Sequence, residues 1–173
     1  MTRYWALRTD QNRRPFFWSE LQAGRLRQGW GYAPELNLEL LSDIKRRGGR
    51  LAKHQQDAWR GNRRLLPSQP NSMQVGDIVV FLHLPRYGVW SLARVTGGYR
   101  YEISTQSNAV DGTPDYGHIR DVELLTDDRG VNPNREGASE RLRKAMRPMI
   151  RMWSLDAHGD EIDRLIKDAD RRW

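Results

Sequence analysis

Apolar and polar positions in the middle of the chain follow a pattern that predicts three consecutive strands. Residues 78–82 form an unbroken apolar run that is rich in β-branched side chains, directly after a Gly-Asp turn pair. Residues 89–95 and 99–103 then alternate large with small or charged positions, with two glycines at 97–98 between them. A period of two is typical of strands. These three stretches predict the centre of a small, curved sheet.

The same pattern predicts further strands on both sides of this centre. Residues 4–8, 25–32 and 118–125 alternate, and the second of these stretches would place Trp30 and Tyr32 on one face. Residues 16–26 fit either a helix or a strand. Residues 104–117, which are rich in turn formers, predict a long loop at the sheet edge.

Helical spacing of apolar residues appears in four segments. It predicts helices over residues 34–47, residues 51–60, residues 142–153 with a kink at Pro148, and residues 160–172. Together with the strands, these helices indicate an α+β fold.

A length of 173 residues suits one domain with an appendage. We expect the domain over residues 1–130 and a C-terminal helical extension over residues 131–173.

Composition narrows the classes of function. The chain has no cysteine, which excludes disulfides, thiolate zinc sites and cysteine nucleophiles. No apolar run is long enough to span a bilayer, and no apolar signal segment opens the sequence, so we expect a cytoplasmic protein that binds no membrane. No phosphate-binding glycine loop or serine elbow is present. We expect neither a cofactor nor a catalytic residue.

The net charge of +7 is unevenly distributed. Residues 1–70 hold 14 basic and 6 acidic residues, whereas the remainder holds 15 basic and 16 acidic residues. The positive excess therefore comes from the first part of the chain and predicts a basic face for an anionic partner. Nucleic acid is favoured over membrane because no segment combines a basic face with a clean apolar face.

Several of these pieces, taken in order, resemble a known family. They are residues 4–8 (YWALR), 24–31 (GRLRQGWG), 76–80 (GDIVV), 93–101 (ARVTGGYRY) and 118–123 (HIRDVE). Their order and spacing resemble the PUA-like, EVE-type domains at the front of modification-dependent restriction proteins, over residues 3–125. The resemblance implies a PUA-like curved β-barrel of about five or six strands with helices packed around it.

The resemblance also implies a function. A domain of this kind flips a modified base, a methylated or hydroxymethylated cytosine in double-stranded DNA, into an aromatic pocket. Any nuclease activity would then belong to a separate domain or to a nuclease or effector partner. A PUA-like protein that binds RNA is the alternative within the same fold.

Aromatic residues of the predicted strands supply the candidate base pocket. They are Trp30, Tyr32, Trp5, Trp90, Tyr99 and His118. Trp30 is the foremost candidate, because the glycines on both sides either leave its indole approachable or let another backbone pass close. His118, next to the long loop, could bond a base edge or the loop itself.

Candidate phosphate contacts are arginines near the predicted strand and helix ends. They are Arg8, Arg25, Arg27, Arg63 and Arg64. Their salt-sensitive contacts would supply the affinity that does not depend on sequence.

An enzyme is the rival interpretation. Asp115, His118, Asp121 and Glu123 lie within nine residues and could form a metal-dependent nuclease site. On a strand, however, Asp121 and Glu123 share a face that His118 does not. The binding module is therefore favoured, without a metal site.

Overall fold

Six strands form one mixed sheet in the computed structural model, which describes residues 1–104 and 114–171. The strands are β1 (Tyr4–Leu7), β2 (Arg25–Gln28), β3 (Ile78–Leu82), β4 (Trp90–Tyr101), β5 (His118–Leu124) and β6 (Met152–Ser154). Their order across the sheet is β2-β5-β4-β3-β1-β6. β1 runs parallel to β3, and every other neighbouring pair is antiparallel.

Five α-helices accompany the sheet. They are α1 (Arg14–Gln22), α2 (Leu38–Arg46), α3 (Lys53–Asn62), α4 (Glu140–Ala145) and α5 (Gly159–Asp170). Asn37 caps α2 by accepting a hydrogen bond from the Glu39 N–H, and Ser139 caps α4 in the same way at Leu142. None of the helices in the described ranges has the combined length and apolarity needed to cross a bilayer.

Alternating side chains give the sheet a buried core on each face. Trp5 and Val79 belong to the core that includes residues of α1, α2 and α3. Ala6 and Val80, one position further along the same strands, belong to the core that includes residues of α4 and α5. This period-two division explains why β1 and β3 are apolar on both sides. The α+β class is thereby confirmed.

The predicted curved β-barrel is not closed in the structure, because β2 and β6 remain edge strands of an open six-stranded sheet. The sheet nevertheless curls until the ends of these two strands approach each other. The Arg151 side chain, just before β6, donates from Nη1 to the carbonyl of Gly29, just after β2, over 3.3 Å. We call this region, where residues 8–10, 28–31, 115–118 and 148–152 meet, the seam.

Two predicted elements end differently in the structure. The strand predicted over residues 25–32 stops at Gln28, so Trp30 and Tyr32 do not share a strand face. The helix predicted over residues 142–153 stops at Ala145, and Trp153 pairs with Ala6 as part of β6. Pairing with β1 therefore overrides the local helical spacing, and the segment expected to be purely helical contributes a strand.

The remaining ambiguous segments lie around the seam. Residues 16–26, whose pattern fits a helix or a strand, form most of α1 and the start of β2. The predicted loop over residues 104–117 falls mostly outside the described residues, which resume at residue 114.

Arg120 on β5 donates from Nη1 to the carbonyls of Leu65 and Met73, over 2.9 and 2.7 Å, and so ties the segment after α3 to the sheet.

Candidate functional site

Trp30 lies in a tight turn at the seam rather than on a strand. Its φ of 65° falls in the left-handed region, which non-glycine residues seldom adopt and which is found often at functional sites. Asp115 holds the turn, because Oδ2 accepts from the Trp30 N–H at 3.2 Å and Oδ1 accepts from the Gly31 N–H at 2.8 Å. These bonds fix the backbone of the turn on which the indole is carried.

His118 also supports the Trp30 turn through hydrogen bonds. Its Nε2 lies 3.0 Å from the Trp30 carbonyl, and its Nδ1 lies 2.9 Å from the Tyr99 hydroxyl. Burial lowers the pKa of His118 from 6.5 to about 4, so the imidazole is neutral at pH 7. Because a carbonyl can only accept, Nε2 carries the proton and Nδ1 accepts from the Tyr99 O–H. Tyr99 in turn accepts from the Leu38 N–H at 3.1 Å.

The glycines around Trp30 allow close backbone approach. A Cβ on Gly31 would lie 2.9 Å from the backbone nitrogen of Gly117, and a Cβ on Gly29 would lie 3.2 Å from the ring of Tyr116. Of the two roles expected for these glycines, the passage of a neighbouring backbone therefore applies at Gly31.

One face of Trp30 is covered by a guanidinium group. The Cζ of Arg151 lies 3.9 Å from the centre of the indole, while 40% of Trp30 remains exposed. Burial lowers the pKa of Arg151 and leaves its cation less hydrated. A desolvated cation–π pair is worth about 2 kcal/mol. The Trp30–Arg151 pair therefore joins the two sides of the seam.

A cavity of about 380 Å³ opens beside this pair, and we call it the seam cavity. Its volume falls in the range of about 300–1,000 Å³ that is usual for small-molecule sites. It is lined by Arg8, Thr9, Asp10, Phe17, Gln28, Gly29, Trp30, Asp115, Tyr116, Met149, Ile150 and Arg151.

Three side-chain atoms of residues that line the seam cavity are buried and lack a hydrogen-bond partner among the described residues. They are Oγ1 of Thr9, Nε2 of Gln28 and Nε of Arg8. Thr9 is 6% exposed and Gln28 is 5% exposed. An unpaired buried donor costs about 1–3 kcal/mol, so such atoms are usually satisfied by an ordered water molecule or by a ligand.

Acceptors lie at the same cavity. Oδ2 of Asp10 accepts from the Tyr116 hydroxyl at 3.2 Å, and Oδ1 accepts from the Asn12 N–H at 2.9 Å. Burial and the nearby charge of Asp10 raise the pKa of Tyr116 to about 12. A carboxylate has about four acceptor positions, so Asp10 retains capacity for a ligand.

A second cavity of about 440 Å³, which we call the arginine cavity, borders the seam cavity. Its lining consists of Trp30, Asp57, Arg60, Gly61, Arg63, Arg64, Met149, Ile150, Arg151 and Met152. Four residues line both cavities: Trp30, Met149, Ile150 and Arg151. Met149 and Ile150 are largely exposed, which leaves two apolar side chains at the shared border.

The structure brings together only part of the predicted base pocket. Trp30 lines both cavities, and Tyr99 and His118 hold its turn. Trp5 is 1% exposed and donates from its indole to Asp77 over 2.9 Å, so it belongs to the core. Two predicted residues lie elsewhere: Trp90 is buried in the core that includes α4 and α5, and Tyr32 is exposed without lining either cavity.

The predicted phosphate contacts divide in the same way. Arg25 and Arg27 both bind Glu20, and the bond from Arg25 is the main reason that the pKa of Glu20 falls to about 2. Both of these arginines therefore have a structural partner. The other three predicted residues border a cavity: Arg8 lines the seam cavity, and Arg63 and Arg64 line the arginine cavity.

The acidic cluster of the rival interpretation is dispersed. Asp121 pairs with Arg100 at 3.0 Å, and Glu123 pairs with Arg94 at 3.4 Å. Across residues 1–104 and 114–171, no group of three or more His, Asp or Glu side chains could hold a metal ion.

Sequence reasoning missed the residues that complete the cavities. Thr9 and Gln28 are polar residues at or just after strand ends, which is common in any sheet. Arg151 lies inside an apparent helical stripe of the sequence. Pro148 is the available signal, because it marks the break that releases residues 149–151 from a helix.

Comparison with known proteins places the chain in a family. A family model described as a domain of unknown function, DUF8426, matches residues 5–146. No curated protein matches the chain. Among solved structures, the chain is similar to protein Atu2648 from Agrobacterium tumefaciens, with 14% identity, coverage of 97% of this chain and 93% of that chain, and a TM-score of 0.42. The function must therefore be inferred from the site itself.

Proposed function

The chain belongs to the DUF8426 family, and we propose that it is a nucleic-acid-binding module that holds one flipped base, a modified cytosine in DNA, in the seam cavity. A PUA-like arrangement of the open sheet is part of this proposal. The observation that carries it is the buried Nε2 donor of Gln28, which lacks a partner among the described residues at a cavity bordered by aromatic rings and arginines.

The polar groups of the seam cavity suit the edge of a cytosine. Cytosine presents an amino donor at N4, and carboxylates are its usual acceptors. Asp10 offers such an acceptor, and Gln28 Nε2 offers a donor to the ring acceptors. Thr9 can serve either role. A donor and an acceptor at one cavity thus support recognition of a base edge.

The apolar groups account for the cost of flipping. A base that leaves the duplex loses stacking worth a few kcal/mol. Contact with aromatic rings returns about 1–3 kcal/mol per base, and Phe17, Tyr116 and Trp30 line the seam cavity. Burial of a methyl group adds about 0.8 kcal/mol, a preference of only a few-fold over plain cytosine.

Substitution of Gln28 tests the proposal, because it separates binding from folding. In Gln28→Leu, an unpaired buried donor is replaced by an apolar group of similar size. We expect the melting temperature to stay the same or rise, while binding of a modified oligonucleotide weakens by about 1–3 kcal/mol. Gln22→Leu, the same change on the exposed side of α1, is the matched control and should leave affinity unchanged.

The ligand panel should contain DNA and RNA oligonucleotides with plain, methylated and hydroxymethylated cytosine. Tight binding of RNA alone would assign the site to RNA. Unchanged affinity of Gln28→Leu for every ligand that binds would remove the base from the seam cavity.

A further inference from the structure

A groove separate from the seam cavity lies between α2 and α3. It has a volume of about 580 Å³, and we call it the basic groove. Its lining consists of Lys45, Gly49, Arg50, Leu51, Gln56, Trp59, Arg60 and Arg63. Four of these eight residues are cations, and none is acidic. A concave surface of one sign concentrates ligands of the opposite charge.

The four cations of the basic groove have no carboxylate within ion-pair distance among the described residues. They are Lys45, Arg50, Arg60 and Arg63, and all four are exposed. The adjacent Arg46, by contrast, binds Asp43 at 2.7 Å. The Nζ of Lys45 lies 6.0 Å from the centre of the Trp59 ring. The groove therefore holds like charges together without an internal counterion.

The basic groove continues into the arginine cavity. Arg60 and Arg63 line both, and the arginine cavity also contains Trp30 and Arg151. The acidic residue of the arginine cavity, Asp57, does not line the basic groove. A line of positive charge thus runs from the α2–α3 turn to the indole at the seam.

We propose that the basic groove is a phosphate-binding site that takes the nucleic-acid backbone flanking the base in the seam cavity. This inference rests on the proposed function and adds a second binding site to it. The ligand chemistry is a row of phosphodiester groups. If the nucleic-acid backbone follows the basic groove, the nucleotides on one side of the flipped base lie over α3.

The test uses a pair of double variants with equal charge change. Lys45→Gln with Arg50→Gln removes cations that line only the basic groove. Arg46→Gln with Arg47→Gln removes two neighbouring exposed cations that line neither the groove nor the arginine cavity, and it is the control. The ligands are a long modified duplex and the matching modified mononucleotide, each titrated over a range of salt concentrations.

We expect the groove variant to flatten the plot of log K against log salt for the duplex by about 0.9 for each phosphate that the variant no longer neutralises. The control variant should keep the wild-type slope. Mononucleotide affinity should be unchanged in both, because that ligand reaches only the seam cavity. Equal flattening in the two variants would overturn the proposal, since it would reflect overall charge alone.

Inorganic tripolyphosphate distinguishes the backbone from free phosphates as the source of the ligand. Suppose that tripolyphosphate binds the wild type, that the groove variant loses this binding, and that the groove variant still binds the duplex as the wild type does. The groove is then a small-anion site and the proposal fails. A duplex response to Gln28→Leu with none to the groove variant would leave the proposed function standing and remove this inference. The reverse pattern would keep the groove and remove the base from the seam cavity. Absence of any nucleic-acid binding would overturn both.

Discussion

At the scale of single residues, the position of Trp30 depends on a buried neutral histidine. His118 uses both ring nitrogens, one to the Trp30 carbonyl and one to the Tyr99 hydroxyl, and it is fully buried. Protonation would place a second donor opposite the Tyr99 hydroxyl and a charge in the core. The imidazole must therefore stay neutral for the Trp30 turn to keep its shape.

This dependence predicts a specific loss of stability in acid. The pKa of His118 is about 4 when folded and 6.5 as its ordinary value. As the pH falls below 6.5, the unfolded chain gains a proton that the folded protein does not bind until about pH 4. The free energy of unfolding should therefore decrease across this window, by about 3 kcal/mol at 1.36 kcal/mol per pKa unit.

Chemical denaturation at several pH values measures this effect. His118→Gln keeps a donor for the Trp30 carbonyl but cannot titrate, so its stability should fall less steeply than that of the wild type between pH 6.5 and pH 4. Parallel profiles for the two proteins would show that His118 does not carry the acid sensitivity.

At the scale of elements, the segment just after β2 and the segment just before β5 pack closely because glycines lie at their contact. The space at Gly31 is closed by the backbone of Gly117, which cannot move aside as a flexible side chain can. Gly98 on β4 offers the opposite case, because a Cβ there would meet nothing within 4 Å.

These two glycines predict opposite effects for one substitution. Gly31→Ala should destabilise the fold by more than about 1 kcal/mol and disturb the Trp30 turn, whereas Gly98→Ala should be neutral or stabilise by about 0.4–1 kcal/mol. Denaturant unfolding measures the stability of both variants. Equal stabilities would mean that the backbones separate at little cost.

Local signals explain which elements could be predicted. The strands β3 and β4 and the helix α2 carry their own periodicity and turn residues, so the sequence indicates them directly. Trp153 has no such signal, because its neighbours fit helical spacing and its pairing with Ala6 joins distant parts of the chain. Trp30 could be recognised from its flanking glycines. Pro148 signals a break before Arg151, but the contact of Arg151 with Trp30 could not be predicted, since it exists only after the sheet curls.

At the scale of the whole molecule, the seam brings together residues from both edges of the described sheet. Arg8 follows β1, Gln28 ends β2 and Arg151 precedes β6, and all three line the seam cavity. A ligand in this cavity contacts both edges of the open sheet. Binding should therefore restrain the edges relative to each other.

Hydrogen exchange with and without a modified duplex measures this restraint. We expect added protection in residues 25–31 and 148–154, the two sides of the seam. At ligand concentrations of about 100 times Kd, the folded state should gain about 2.7 kcal/mol. Protection confined to α2 and α3 would place the ligand in the basic groove alone.

The position of Arg151 late in the chain also sets the order in which the parts of the seam cavity are synthesised. A chain is made from its N-terminus, and its parts begin to fold as they emerge. The Trp30 turn, Thr9 and Gln28 emerge before β3, but the guanidinium that stacks on Trp30 and the strand that covers the edge of β1 emerge only after α4. A nascent chain therefore displays the indole before it can present a finished cavity. The seam cavity is complete only when residues 148–154 have left the ribosome and β6 has paired with β1.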